Sequence, residues 1–225
     1  MEDPFYLEDL MAEPDHPPDS IEAWDTAQKY EASFWLWHVR DSKHWTTRVE
    51  MYVAKPLLRE DYFKWFDTEI TGTVLDVGCG PMSIFEGFAG TDVTAIDPNL
   101  RTYQQQIPEF AKLGRMRNCY YRSCHVQDVF GTFDIVWSYN VLAHTIDWAD
   151  MVDNMYRLTK PGGKLLLEAC VAHRLPNQRR KVCHPAVIAA ADLLDRVTDC
   201  GFKVEYHTPV RPTAGRYRMY MEASK

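Results

Sequence analysis

No stretch of about 18 apolar residues occurs in the 225-residue chain, so the sequence offers no candidate membrane span. The first residues are acidic and lack the basic-then-apolar order of a secretory leader. Cysteine is sparse. Cys79, Cys119, Cys124, Cys170, Cys183 and Cys200 are scattered through core-like segments, without the spacing of a disulfide framework. These absences predict a cytoplasmic protein with reduced thiols. Cys119, Cys124 and His125, even with Cys170 and His173, match no standard zinc spacing, so no metal is expected. A Walker-type Gly-Lys-Ser/Thr is missing too, which excludes that phosphate cradle.

The net charge of -7 argues against nucleic acid, but its distribution weakens the argument. Residues 1 to 31 hold ten of the 32 acids and one of the 25 bases, leaving 22 acids against 24 bases in the rest. The acidity belongs to the tail, and no long basic stripe follows it. A short basic cluster, Arg174, Arg179, Arg180 and Lys181, sits in one predicted loop.

Apolar content of 46% and this length suit one domain with a helical extension. Residues 1–19, with four prolines among acids, read as a flexible lead. Residues 20–70 read as a helical, aromatic-rich cap, with Ser20 as N-cap and Ile21 opening a helix. Most of its rings, from Trp24 to Phe66, are expected to pack on the domain behind. A lid whose inner rings wall a pocket is the other reading.

Residues 71–225 alternate strand and helix patterns. Strands are predicted at Thr73 to Val77, Asp92 to Ile96, Tyr120 to Cys124, Phe133 to Ser138 and Lys164 to Ala169. Helices are predicted to open at Ile84 and to cover Leu100 to Leu113, Trp148 to Leu158 and Pro185 to Cys200, with Gly201 as the stop. Pro161-Gly162-Gly163 reads as a turn. Phe202 to His207 and Tyr217 to Ala223 are joined too tightly for a crossover helix and should pair antiparallel. The fold class is α/β: a doubly wound, mostly parallel seven-stranded sheet with an antiparallel C-terminal edge hairpin and a helical N-terminal cap.

Chemistry concentrates at Val74-Leu75-Asp76-Val77-Gly78-Cys79-Gly80-Pro81, a buried strand delivered into a glycine turn. Two glycines let backbone approach a ligand closely. Asp97 ends the next strand, nineteen residues after Gly78, where an acid accepts hydrogen bonds from ribose hydroxyls. A dinucleotide site wants a third glycine, and Ser83 stands there instead. An adenosine ligand without phosphate fits best.

These segments resemble the first two motifs of class I S-adenosylmethionine (SAM)-dependent methyltransferases. Phe133 to His144 and Met155 to Glu168 are similar to later motifs of the branch that includes ubiquinone, menaquinone and natural-product methyltransferases. The resemblance covers roughly residues 72 to 207, and Trp24 to Tyr30 resembles the segment that caps SAM in that branch.

The resemblance implies SAM as cofactor and its demethylated form as product. Asp76, Gly78, Cys79 and Gly80 would line the methionine end, Asp97 the ribose, and Pro98 and Asn99 the adenine. His125, Val126 and Gln127 would flank its other face, with Cys124 or Asp128 as substitutes, and Tyr30 would join from the cap. Ser138, Tyr139 and Asn140 would sit under the sulfonium.

Methyl transfer needs a base only when the acceptor carries a proton. His144 and Tyr139 are the catalytic candidates, with Tyr30, His173 and His184 weaker ones. His144 has a structural reading beside the catalytic one. Asn-Pro-Pro-Tyr-like and Pro-Cys signatures of DNA base methylation are missing, and Ser138-Tyr139-Asn140-Val141 replaces the former.

The expected partner is a small-molecule acceptor, aromatic or, through the basic loop, anionic, and a homodimer is compatible with the sequence. Methylation of RNA or a modified nucleotide is the alternative. A non-catalytic SAM-binding regulator is the third reading.

Overall fold

The computed structural model describes residues 20–40, 63–106, 118–171, 185–208, 211–213 and 216–225. Helix α1 (Ile21–Arg40) begins as its sequence predicts, with the Ser20 hydroxyl accepting from the Ala23 amide at 3.1 Å. The rest follows as β1 (Gly72–Val77), β2 (Thr91–Ile96), α2 (Leu100–Gln106), β3 (Cys119–Arg122) and β4 (Phe133–Tyr139). Then come α3 (Trp148–Leu158), β5 (Thr159–Val171), α4 (Ala190–Asp199), β6 (Lys203–His207), β7 (Arg211–Thr213) and β8 (Arg216–Ser224).

Among the described residues seven strands lie in the order β3-β2-β1-β4-β5-β8-β6, with the short β7 paired to β8 off that path. The first five are parallel, and β8 runs antiparallel to both β5 and β6. The doubly wound sheet with its antiparallel edge is thus the predicted one; β7 is an addition to it. Val77 lies in register with Ile96 on one side and Ser138 on the other, so the ends of β1, β2 and β4 form one rim.

Strand alternation divides the core between two faces. Leu75, Val77, Val136, Leu165, Leu167 and Met221 pack with α3 and α4. Val74, Ile135, Trp137 and Leu166 pack with Phe66, Ile70 and Phe85. Trp137 is the hub there, meeting Phe63, Phe66 and Phe85 edge-on at 5.3, 5.3 and 5.5 Å. The segment from Phe63 to Ile70 is also tied by Glu222 of β8, which accepts from the Asp67 amide at 3.0 Å and the Thr68 hydroxyl at 2.5 Å.

Three local expectations change. Ile84 to Phe88 forms turns, not a helix, because Asn118 satisfies its backbone instead. The Asn118 amide donates to the Phe85 and Phe88 carbonyls and accepts from the Gly87 amide. Helix α4 starts at Ala190, since Pro185 to Ala189 runs extended with the Ala186 amide donating to the Ala143 carbonyl. Pro161 to Gly163 is a bulge inside β5, where pairing jumps from Phe133↔Thr159 to Ile135↔Lys164. Helix α2 is described only to Gln106, and the rest of its expected span lies outside the described residues. So do the acidic lead, residues 41–62 of the cap and the loop bearing His173, Arg174, Arg179, Arg180, Lys181 and His184. Among the described residues no helix is long and apolar enough to cross a membrane.

Candidate functional site

The rim is built by one turn. Gly78 and Cys79 both donate their amides to the Ile96 carbonyl, at 2.8 and 3.0 Å, and the Gly80 amide donates to Asp97 Oδ2 at 3.0 Å. Gly78 and Gly80 hold φ of +71° and +62°, conformations that L side chains rarely adopt. A Cβ on Gly78 would stand 2.4 Å from Val141 Cγ2, whereas one on Gly80 would make ordinary contact, 3.5 Å, with the Trp35 ring.

Asp97 uses each carboxylate oxygen once, Oδ2 for Gly80 and Oδ1 for the Asn99 amide at 2.8 Å. Each oxygen keeps a lone pair for a hydroxyl donor. Asp76, at the end of β1, accepts from the Ser83 hydroxyl at 2.5 Å. Ser83 also receives the Phe85 amide at its Oγ and gives its own amide to the Tyr121 hydroxyl, which in turn donates to Glu86.

In the sequence, Ser83 registers only as a missing glycine. In the structure it is the buried pin that joins β1, β3 and the turn. Burial pushes both Asp76 and Asp97 up to about 7, and Glu31 adds to the rise at Asp97. Neither acid is paired with Lys or Arg among the described residues. Burial likewise pushes the Cys79 thiol well up, so Cys79 contributes backbone and bulk, not a thiolate.

Strand β4 ends in two oxygens that find no partner among the described residues, Ser138 Oγ and Asn140 Oδ1. Asn140 has φ of 57°, the sole non-glycine with positive φ among the described residues. Strain of this kind collects at binding sites. A ligand with hydrogen-bond donors and net positive charge suits the two orphaned acceptors and the two uncompensated acids.

Helix α1 lies across this rim through a stripe at helical spacing, Trp24, Gln28, Glu31 and Trp35. Gln28 accepts from the Asn99 amide group at 2.8 Å and donates to the His144 carbonyl at 3.4 Å, bridging the ends of β2 and β4. Glu31 accepts from the Trp35 indole at 2.8 Å and lies 3.7 Å from His144 Nδ1. Trp24 meets the His125 ring at 5.5 Å.

Sequence reasoning singled out Trp24 and Tyr30 but missed Gln28, Glu31 and Trp35. Their i, i+3, i+4 spacing was the available signal. Tyr30 is half-buried on α1, about 200° round the helix from Gln28 and off the stripe.

The other predicted residues fall around the same edge. Pro98 and Asn99 follow β2, half-buried, and the Pro98 carbonyl accepts from Ser123. His125 is exposed, Val126 buried and Gln127 exposed, on a single turn after β3 that Arg157 braces from the backbone side. Cys124 is half-buried and Asp128 exposed there. Tyr139 stacks on Trp137 at 5.8 Å and accepts from Arg218 at 3.2 Å, and burial pushes its hydroxyl far up, which leaves it protonated. Among the described residues no cluster could hold a metal ion.

Residues 75–167 match the model of a methyltransferase domain. The fold is the Rossmann-like methyltransferase fold, and Asp76, the glycine turn, Asp97 and the end of β4 all lie inside the matched segment. The chain is similar to the ubiquinone biosynthesis O-methyltransferase of Xanthomonas oryzae, 37% identical over 106 residues, 42% of this chain and 41% of that protein. The matched part thus spans about two fifths of that curated relative.

In fold it is similar to a 1,6-didemethyltoxoflavin N1-methyltransferase of Burkholderia thailandensis, solved with its substrate and S-adenosylhomocysteine. That likeness has a TM-score of 0.59 at 18% identity, over 95% of this chain and 94% of that one. The N-methyltransferase NodS of Bradyrhizobium japonicum, solved with S-adenosylhomocysteine, gives a TM-score of 0.55 at 16% identity, over 77% and 89%.

Two outcomes follow from the turn and its acids. Gly78→Ala should lower the melting temperature through its positive φ and its clash with Val141, and Val141→Ala in the same chain should recover part of that loss. Thermal unfolding of the native chain and the two variants checks this; equal melting of single and double variants refutes the clash. The raised carboxyl of Asp76 means that the folded chain holds a proton the unfolded chain releases from about pH 4 upward. Its contribution to stability is therefore lost as pH rises from about 4 through about 7. Asp76→Asn, whose carbonyl can still accept from Ser83, should gain on the native chain in melting temperature between pH 5 and pH 8. A pH-independent offset would contradict the raised value.

Proposed function

We propose that the chain is a methyltransferase that binds SAM over the Gly78–Gly80 turn and moves its methyl group to a small-molecule acceptor. The observation that carries this reading is the pair of buried oxygens at Ser138 and Asn140 that find no partner among the described residues, one strand from a glycine turn whose neighbouring acids meet no counter-cation among those residues. When bound, the cofactor supplies an electrophilic methyl on a positive sulfur that leaves as a neutral thioether.

The chain's residues then have five tasks. Asp97 accepts from the ribose hydroxyls with its spare lone pairs, and Asn140 and Ser138 accept from the ammonium of the amino-acid end. Gly78 and Gly80 keep the backbone within reach, with Asp76 behind the turn and Cys79 filling it. Pro98 and Asn99 border the adenine on one side and His125, Val126 and Gln127 on the other, under Trp24. Helix α1 keeps water off the rim.

No new anion forms at the cofactor, so orientation is the main contribution, with the acceptor atom held in line at about 3 Å from the methyl carbon. His144, beside Glu31, is the base for acceptors that carry a proton, and Tyr139, kept protonated, positions the acceptor. The free cysteines Cys79, Cys119, Cys124, Cys170 and Cys200 support a reducing, cytoplasmic setting.

Methyl-labelled SAM incubated with the protein and a metabolite extract should place label in a low-molecular-weight product. Label confined to RNA or protein, or no turnover despite binding, would overturn the reading. Asp97→Ala should weaken S-adenosylhomocysteine binding by about 1–3 kcal/mol in calorimetry, the value of hydrogen bonds to a charged group. Unchanged affinity in a folded variant would mean the ribose lies elsewhere. His144→Gln should lower kcat about 10²-fold or more while leaving cofactor affinity unchanged, the usual range for a lost base. A matching loss in cofactor affinity would make His144 structural.

A further inference from the structure

The order of strands at the rim divides the site. On the proposed reading the cofactor occupies the ends of β2 and β1 and touches β4, so the acceptor must enter from the other side, over β4, β5 and β8. That side holds a polar cluster of which the methyl-transfer reading uses Tyr139 alone. Tyr139 of β4 lies in register with Glu168 of β5, and Glu168 with Tyr220 of β8, while Arg218 stands opposite Cys170 at the same edge.

Arg218 Nη1 lies 3.0 Å from Glu168 Oε1 and donates to the Tyr139 hydroxyl at 3.2 Å. Its guanidinium carbon lies 5.8 Å from the Tyr139 ring centre. Flat rings border the cluster, with Trp65 stacked on Tyr220 at 4.9 Å and an interplanar angle of 24°.

We propose that Arg218 is the acceptor-recognition residue and that it takes a flat acceptor bearing a carboxylate. Glu168 has no exposure at all, sitting in β5 among Leu165, Leu166, Leu167 and Ala169. A purely structural role would be served as well by an apolar pair, since buried ion pairs seldom stabilise more than apolar side chains of similar size. What the pair does achieve is orientation. With Nη1 committed to Glu168 and Tyr139, the guanidinium is held by one corner.

Its Nε and Nη2 edge makes no hydrogen bond among the described residues, and the side chain is 22% exposed. That edge is the fork that matches a carboxylate with two parallel hydrogen bonds. Tyr139 joins the recognition group to the strand end beneath the reacting centre, so acceptor binding and methyl alignment share one residue.

The test uses the full chain saturated with S-adenosylhomocysteine and two ring probes of equal size, benzoate and benzamide, followed by ligand-observed NMR. The native chain should bind benzoate at least about tenfold more tightly than benzamide, the lower end for hydrogen bonds to a charged group. Arg218→Met should erase that preference while leaving S-adenosylhomocysteine affinity unchanged.

Should Arg218→Met unfold because it removes the Arg218 charge from beside buried Glu168, the double variant Arg218→Met with Glu168→Gln removes both charges. It should fold and likewise lose the preference. Equal binding of the two probes by the native chain, or a preference that survives either folded variant, overturns the proposal. Failure of the native chain to bind S-adenosylhomocysteine would instead count against the cofactor reading on which this one rests.

Discussion

Everything at the functional rim depends on how the end of β2 receives the turn after β1. The amides of Gly78 and Cys79 converge on one carbonyl, Ile96, and the next, Gly80, lands on the Asp97 carboxylate. Those bonds fix the turn in the left-handed conformations that only glycine takes at low cost. They also fix Asp97, whose two oxygens are held by the backbone on both sides of it. The acid and the glycine turn are therefore one hydrogen-bonded unit, and a change in either moves both. Ser83 extends the unit to Asp76, and Tyr121 extends it to β3.

Packing around that unit is asymmetric for a reason. On one face, α3 and α4 cover the sheet with aliphatic side chains. On the other, Trp137 gathers Phe63, Phe66 and Phe85, and the polar residues at the strand ends, Asp76, Tyr139 and Glu168, belong to the same alternating set as Trp137. Large rigid rings suit this place, because they hold strand ends in position with little rotamer freedom. Glu222 then bolts the covering segment to β8, so the wall next to Tyr220 and Trp65 cannot drift from the sheet.

Much of this was legible because strand physics is local. The β-branched and apolar run into Gly78, the acid at Asp97 and the tight connection before β8 each carry their own signal. What escaped was non-local. Nothing in Ile84 to Phe88 announces that Asn118, some thirty residues on, will satisfy its carbonyls and so replace a helix with turns. Nothing near Ser83 reveals that Tyr121 will pin it. The stripe on α1 is readable from its spacing, but Gln28 and Glu31 lie among so many aromatic residues that their polar pattern carries little signal of its own. Arg218 was invisible for another reason: only antiparallel pairing with β5 brings it beside Glu168 and Tyr139.

The charges close the argument. Holding a buried carboxyl at about 7 means that its ionised form is disfavoured by about 4 kcal/mol relative to an exposed aspartate. Two such groups side by side, with Glu31 adding to one of them, are an unfavourable arrangement for the empty protein and a favourable one for a cation. On the far side of Tyr139 the balance reverses. Glu168 is already matched by Arg218, and the residual donors belong to the guanidinium. The rim therefore runs from uncompensated acids over β1 and β2 to a matched ion pair with spare guanidinium donors over β8, with Tyr139 at the join. On the proposed reading a cationic cofactor is drawn to the first half and a carboxylate meets the spare donors of the second, so the two face each other over β4. Because the leaving group is neutral, alignment of this kind is most of what the reaction asks of the protein.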